Sequence, residues 1–143
     1  MIAECTADLV ARITALPALT NSASIFLGGH GADPGLIKVP LPAVWIIFAK
    51  DQPVEYHTAS DAPNMPPGIA VMLATFSVVT YLPYASQADL LAVQYPLLES
   101  MIKAINGQPS PSGHRWRYTG EQLVMVYPDR IAYDQHYVVE LIL

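Results

Sequence analysis

Fourteen consecutive residues without a charge, 69–82 reading IAVMLATFSVVTYL, set the terms on which this chain folds. At period two, one side carries Ile69, Val71, Leu73, Thr75, Ser77, Val79 and Tyr81. The other carries Ala70, Met72, Ala74, Phe76, Val78, Thr80 and Leu82, and both sides are largely apolar. A strand with one face in water alternates apolar with polar residues, whereas a strand covered on both faces has no need to. The run therefore predicts a central strand with Phe76 and Val78 buried. A buried helix is the alternative that periodicity alone does not separate from it. Six β-branched residues, two aromatics and the bracketing Pro67 and Pro83 favour the strand. A membrane span is excluded on length, since crossing the hydrocarbon core takes ~20 apolar residues.

Such a strand needs covering elements, and the composition shows that they are as apolar as the strand itself. Of the 143 residues 52% are hydrophobic and only 13% charged, against ~25% charged in ordinary soluble domains. One domain over 1–143 is expected, with much of its apolar surface meeting something other than water, most economically other copies of itself. A net charge of −5 with seven Lys and Arg argues against a nucleic-acid grip, which needs clustered cations to neutralise phosphates. The single cysteine, Cys5, permits no internal disulfide and suits a reducing compartment. The opening MIAECTADLV lacks the basic and apolar segments of a secretory signal.

Along the chain, Ile2, Cys5, Leu9, Ile13 and Leu16 recur at steps of three and four, with Glu4, Asp8 and Arg12 on another side. This predicts an amphipathic helix over 2–16 that Pro17 terminates, with Cys5 a buried thiol. Residues 24–27 form a short strand candidate before the turn-rich GGHGADPG, which lacks the lysine and following helix of a phosphate cradle. AVWIIFA, 43–49, is a second apolar strand, with Lys50 and Asp51 marking its exit to solvent. From 51 to 68 the chain reads DQPVEYHTASDAPNMPPG, too long and proline-rich for a simple hairpin. It predicts an extended arm or a solvated loop.

Ser86 with Asp89 three residues on has the form of a helix N-cap. Leu90, Leu91, Leu97, Leu98, Met101, Ile102 and Ile105 follow at helical spacing up to Asn106-Gly107, a helix stop. Pro96 lies inside this pattern and predicts a kink near Gln94 to Tyr95, or a short first helix and a longer second. Two closing strands, 114–127 and 131–143, are separated by Pro128-Asp129-Arg130 and should pair as an antiparallel hairpin. The fold class that results is α+β, a single domain with a mainly antiparallel sheet. An N-terminal helix covers that sheet together with a second helix placed before a C-terminal β-hairpin.

Catalytic chemistry is not visible. His30, His57, His114 and His136 are scattered, with no HExxH and no paired cysteines, so no metal is expected. His114 and His136 approach each other only if the closing hairpin brings them together. No serine sits in a GxSxG turn and no glycine-rich loop carries a lysine, so neither enzymatic activity nor a cofactor is expected. Arg115 and Arg117 alternate with Trp116 and Tyr118, which predicts a half-exposed strand whose arginines pair with acidic groups, in this chain or in a neighbour. Candidate interface residues are Glu55, Tyr56, His57, Asp61 and Met65 of the arm, with Arg115 and Arg117.

The order of an N-terminal helix (2–16), two apolar strands with a long arm between them, a covering helix (90–105), an R-W-R-Y-x-G strand (115–120) and a terminal YDQHYVVELIL strand resembles the tail terminator (tail completion) proteins of Mu-like and other long-tailed bacteriophages. That resemblance implies a structural virion protein at the tail–neck junction, assembled in the cytoplasm of the bacterial host. It would form a homo-oligomeric ring, usually a hexamer, that caps the tail tube. Its partners would be tail-tube and neck or connector proteins, with DNA passing through the channel unbound and no membrane involved. Net negative charge suits such a channel. Two alternatives stand: another head–tail connector, neck or minor tail protein, and a small dimeric enzyme or ligand-binding protein with a pocket between sheet and helix.

Overall fold

The charge-free run forms the middle strand of a five-stranded sheet. In the computed structural model, which describes residues 1–19, 24–27, 40–53, 71–84 and 86–142, the elements in order are α1 (Ile2–Thr14), β1 (Ser24–Leu27), β2 (Ala43–Pro53), β3 (Val71–Pro83), α2 (Gln87–Asp89), a π-helical turn (Leu90–Gln94), α3 (Tyr95–Ile105), β4 (Arg117–Val126) and β5 (Arg130–Ile142). The strand order is β1-β2-β3-β5-β4. Pairing is antiparallel throughout except for β1, which runs parallel to β2 at one end of the sheet. The α+β class and the closing hairpin are as the sequence predicts.

β3 has a strand on each side and is covered by helices on one face, while on the other Leu73, Thr75 and Val79 stay partly exposed. Ala74, Phe76, Val78 and Leu82 enter the main core from one face, while Val71, Ser77 and Tyr81 are buried on the other. Register explains the match: Phe76 lies opposite Phe48 of β2 and Tyr137 of β5. On β5, Tyr137, Val139 and Leu141 continue the same buried face, so the period-two alternation of the last strand is the pleat of a sheet with one helix-covered side. Helix α1 lays Cys5, Leu9 and Ile13 on that side, and α3 adds Leu97, Leu98, Met101 and Ile105.

β2 runs four residues further than the sequence suggests. Its register shifts between Phe48 and Lys50, and Lys50, Asp51 and Gln52 then pair with Thr75, Ala74 and Leu73 while staying exposed. Lys50 and Asp51 therefore mark a solvated extension of the strand. The kink expected at Pro96 takes a specific form. Proline has no N–H to donate, and its ring crowds the carbonyl four residues back. The preceding turn widens instead, with the Tyr95 N–H reaching the Leu90 carbonyl, five residues away. Widening turns Leu90 and Gln94 inward and leaves Leu91 exposed, so Leu91 does not belong to the covering face as its spacing implied. The Gln94 amide donates to the Pro83 carbonyl at 2.8 Å, tying the turn to the end of β3. Ser86 caps α2 by accepting from the Asp89 N–H at 3.2 Å.

The loop between α3 and β4 is fastened at several points. Gly107, at φ +78°, ends the helix in a conformation that disfavours side chains, and its N–H donates to the Trp116 carbonyl at 2.7 Å. Buried Trp116 donates its indole N–H to Asp8 of α1 at 2.7 Å, and the same carboxylate oxygen accepts from Arg12 at 2.9 Å. One acidic residue on α1 thereby anchors the start of the closing hairpin.

Candidate assembly surface

Polar groups on the sheet face away from the helices come closest to a reactive arrangement. Asp134 and His136 point there from β5, and Ser77 from β3. The His136 Nε2 and the Asp134 Oδ2 lie 3.0 Å apart, and the Ser77 hydroxyl donates to the same Oδ2 at 3.4 Å. A nucleophilic serine needs its hydroxyl on the imidazole, with the carboxylate on the opposite ring nitrogen. Here serine and histidine share one carboxylate oxygen, so the imidazole is not on the serine hydroxyl and the arrangement is not that of a triad. His114, which the sequence could bring near His136, lies 3.6 Å from Glu140 instead. Among the described residues, no group of three or more His, Cys, Asp or Glu is placed to hold a metal ion. Cys5 is fully buried, and burial pushes its thiol pKa up, away from the reactive thiolate.

A polar network lies on the opposite face, at the one inward position of β5 that breaks the apolar alternation. Gln135 is fully buried between β3 and β4. Its amide donates to the Leu98 carbonyl at 3.1 Å and to Glu121 at 2.8 Å, and its carbonyl accepts from the Tyr137 hydroxyl at 2.9 Å. Burial holds the Tyr137 phenol well above its ordinary pKa. Tyr133, also raised by burial and by its hydrogen bond to Tyr95, is pushed up to about 12. Every member of this network is satisfied, which makes it a lock between helix and hairpin and no general acid.

What the surface offers is apolar. Leu123 and Val126 of β4 are 51% and 57% exposed, with Val124 exposed between them, and Leu27 of β1 is 62% exposed. Leu91 and Val93 on the widened turn and Tyr95 just after it are also exposed. They line two separate shallow apolar grooves, one of about 350 Å³ floored by Leu16, Pro17, Val93 and Pro96 and one of about 280 Å³ between Tyr84, Leu91 and Tyr95. β4 closes the sheet, and its pairing to β5 shifts between Tyr118 and Gly120 and again between Leu123 and Met125. Gly120, at φ +150°, supplies the backbone freedom for the first shift. Single exposed leucines are ordinary, whereas aliphatic residues gathered along one sheet edge are the kind of patch that marks interaction sites in proteins generally.

Of the interface residues predicted from sequence, Glu55, Tyr56, His57, Asp61 and Met65 lie outside the described residues. Arg115 and Arg117 are exposed. Within the described residues neither meets a carboxylate: Arg115 donates to the Gly107 carbonyl, closing the loop onto the helix end. Pairing of these arginines with acidic groups of a neighbour stays an expectation. The β4 aliphatics were missed because LVMV reads as core until its place beyond the helices is known.

No protein-family model and no curated protein matches the chain. The fold is similar to that of a chain in the virion of a native gene transfer agent (GTA) particle. The TM-score is 0.60, over 99% of this chain and 96% of that one, at 12% sequence identity.

Proposed function

We propose that this protein is a non-enzymatic structural component of a phage-like virion, and within that class a tail terminator. In that role it would form a homo-oligomeric ring, about six copies in size, at the tail–neck junction. The observation that carries the reading is the whole-chain likeness of fold to a protein of the gene transfer agent virion, end to end on both chains. Two features support it. Exposed aliphatic residues on β4 and on the widened turn provide for subunit contacts, and a net charge of −5 favours a channel that DNA traverses without adhering. The terminator role itself rests on the resemblance in element order. The arm expected over 51–68 gives its first three residues to β2, and its remainder, which carries Pro63, Pro66 and Pro67, would reach a neighbouring subunit or the adjoining tail or neck protein. Mass spectrometry of purified particles from a producing host, with antibody labelling in the electron microscope, tests this. The protein should be found in intact particles, with label where the tail meets the neck. Label elsewhere on the particle would leave a virion protein but not a terminator, and absence from purified particles would overturn the reading.

A further inference from the structure

The two ends of the sheet differ, and both are apolar. Among the described residues β1 and β4 each pair with a single strand, so there the backbone N–H and C=O groups on their outer sides take no part in the ladder. Monomeric proteins guard such edges with lysine, proline, inward-pointing charges or bulges that twist the edge away. β4 has no proline, and its charges, Arg117 and Glu121, fall in its first half. From Gln122 to Val126 it is uncharged, so its guard there is limited to the register shift around Val124, and Leu123, Val124 and Val126 stay exposed on the edge. At the opposite end β1 is the uncharged tetrapeptide SIFL, with Leu27 exposed.

We propose that a second copy of this chain covers the edge: in the assembled particle the outer side of β4 pairs with the outer side of β1 of the next protomer, so that the sheet continues from subunit to subunit. This rests on the ring reading and specifies its contact. Joining unlike edges is a head-to-tail contact, which propagates and closes where the rotation allows. Joining β4 to β4 would stop at two copies and leave β1 unpaired. A strand is the fitting occupant because an edge offers backbone donors and acceptors beside exposed aliphatic side chains, which another extended segment satisfies.

Cross-linking tests it. Adjacent strands bring Cα atoms to ~4.5–5.5 Å, within reach of a short bis-maleimide between Leu27→Cys and Val124→Cys, while Cys5 is fully buried and does not compete. The double variant should give a ladder of covalent species up to ring size on a denaturing gel. An equal mixture of the two single variants should give dimers only, and Val124→Cys alone should give none. In parallel, Leu123→Lys with Val126→Lys should raise the concentration needed for assembly about tenfold or more and leave the far-ultraviolet spectrum unchanged. Glu99→Gln with Lys103→Gln, on the exposed side of α3, should assemble as the parent does. Rings seen by electron microscopy without the 27–124 link would overturn the edge contact and leave the ring reading standing. Efficient linking of Val124→Cys to itself would do the same in favour of a two-fold pair. A parent protein that stays monomeric would overturn the ring reading, and the edge contact with it.

Discussion

Replacing Phe76 by alanine probes the centre of the fold most sharply. Its ring is fully buried, with centroids 5.4 Å from Phe48 on β2 and 5.4 Å, edge to face, from Trp116 at the start of the closing hairpin. Truncation removes the transfer free energy of a phenyl ring and leaves a cavity that three paired strands cannot close, together ~3–5 kcal/mol. Two aromatic contacts with geometries worth ~0.5–1.5 kcal/mol each are lost within that figure, which puts the expectation near ~4 kcal/mol. Total stability is only ~5–15 kcal/mol for a domain, so the variant should remain folded at low temperature and lose much of its margin. With a urea dependence of ~2 kcal/mol per molar, the unfolding midpoint should fall by about 2 M. Phe76→Leu keeps most of the volume and should cost less than ~1.5 kcal/mol. Both are measured by urea titration followed through tryptophan fluorescence, at a concentration where parent and variants share one oligomeric state. An alanine variant within ~1 kcal/mol of the parent would refute the placement of Phe76 at the junction of β2, β3 and the hairpin.

Tyr137 should make the protein sensitive to alkali. A phenol raised above its unfolded pKa of about 10 contributes stability that is intact below that pH. As pH rises past 10 the unfolded state loses its proton first, and stability falls by up to ~1.4 kcal/mol per pH unit for each such group. Tyr137→Phe should lose ~1–2 kcal/mol at neutral pH, where the Gln135 carbonyl is left unpaired, and show a shallower decline between pH 10 and 11.5. Equal slopes for parent and variant in urea titrations across that range would contradict the burial assigned to this hydroxyl. Deleting residues 55–64 of the arm should leave thermal stability unchanged and weaken assembly, as read by sedimentation velocity. An unchanged assembly would make the arm a bystander.

Much of the fold was legible because burial writes itself into charge. Fourteen residues without a charge have few places to go except the middle of a sheet, and β3 lies there with neighbours on both sides. The spacing of Cys5, Leu9 and Ile13 likewise identified the buried stripe of α1. Errors came where a local signal had two meanings. Lys50 and Asp51 read as a strand end, yet β2 outruns the four-residue β1 and its free side is wet, so charges are tolerated within the strand. Pro96 announced a distortion but not its kind, and the π-helical turn that absorbs it changes which way Leu91 faces.

The contact surface was less legible than the core. Apolar residues carry the same letters whether they face a core or a partner, and LVMV of β4 could be assigned to neither until its position at the sheet edge was known. Trp116 and Asp8 stand 108 residues apart, and no sequence pattern announces a hydrogen bond at that separation. Gln135 did leave a trace, as the polar residue in an otherwise apolar register of β5, and the network it holds is the reason it is tolerated there.

Assembly is the central claim, and native mass spectrometry combined with electron microscopy of the purified protein at micromolar concentration tests it most directly. The account predicts one dominant closed species of about six copies of the 15.6 kDa chain, seen end-on as a ring with an open centre. A monomer or a simple two-fold dimer at the same concentration would contradict it.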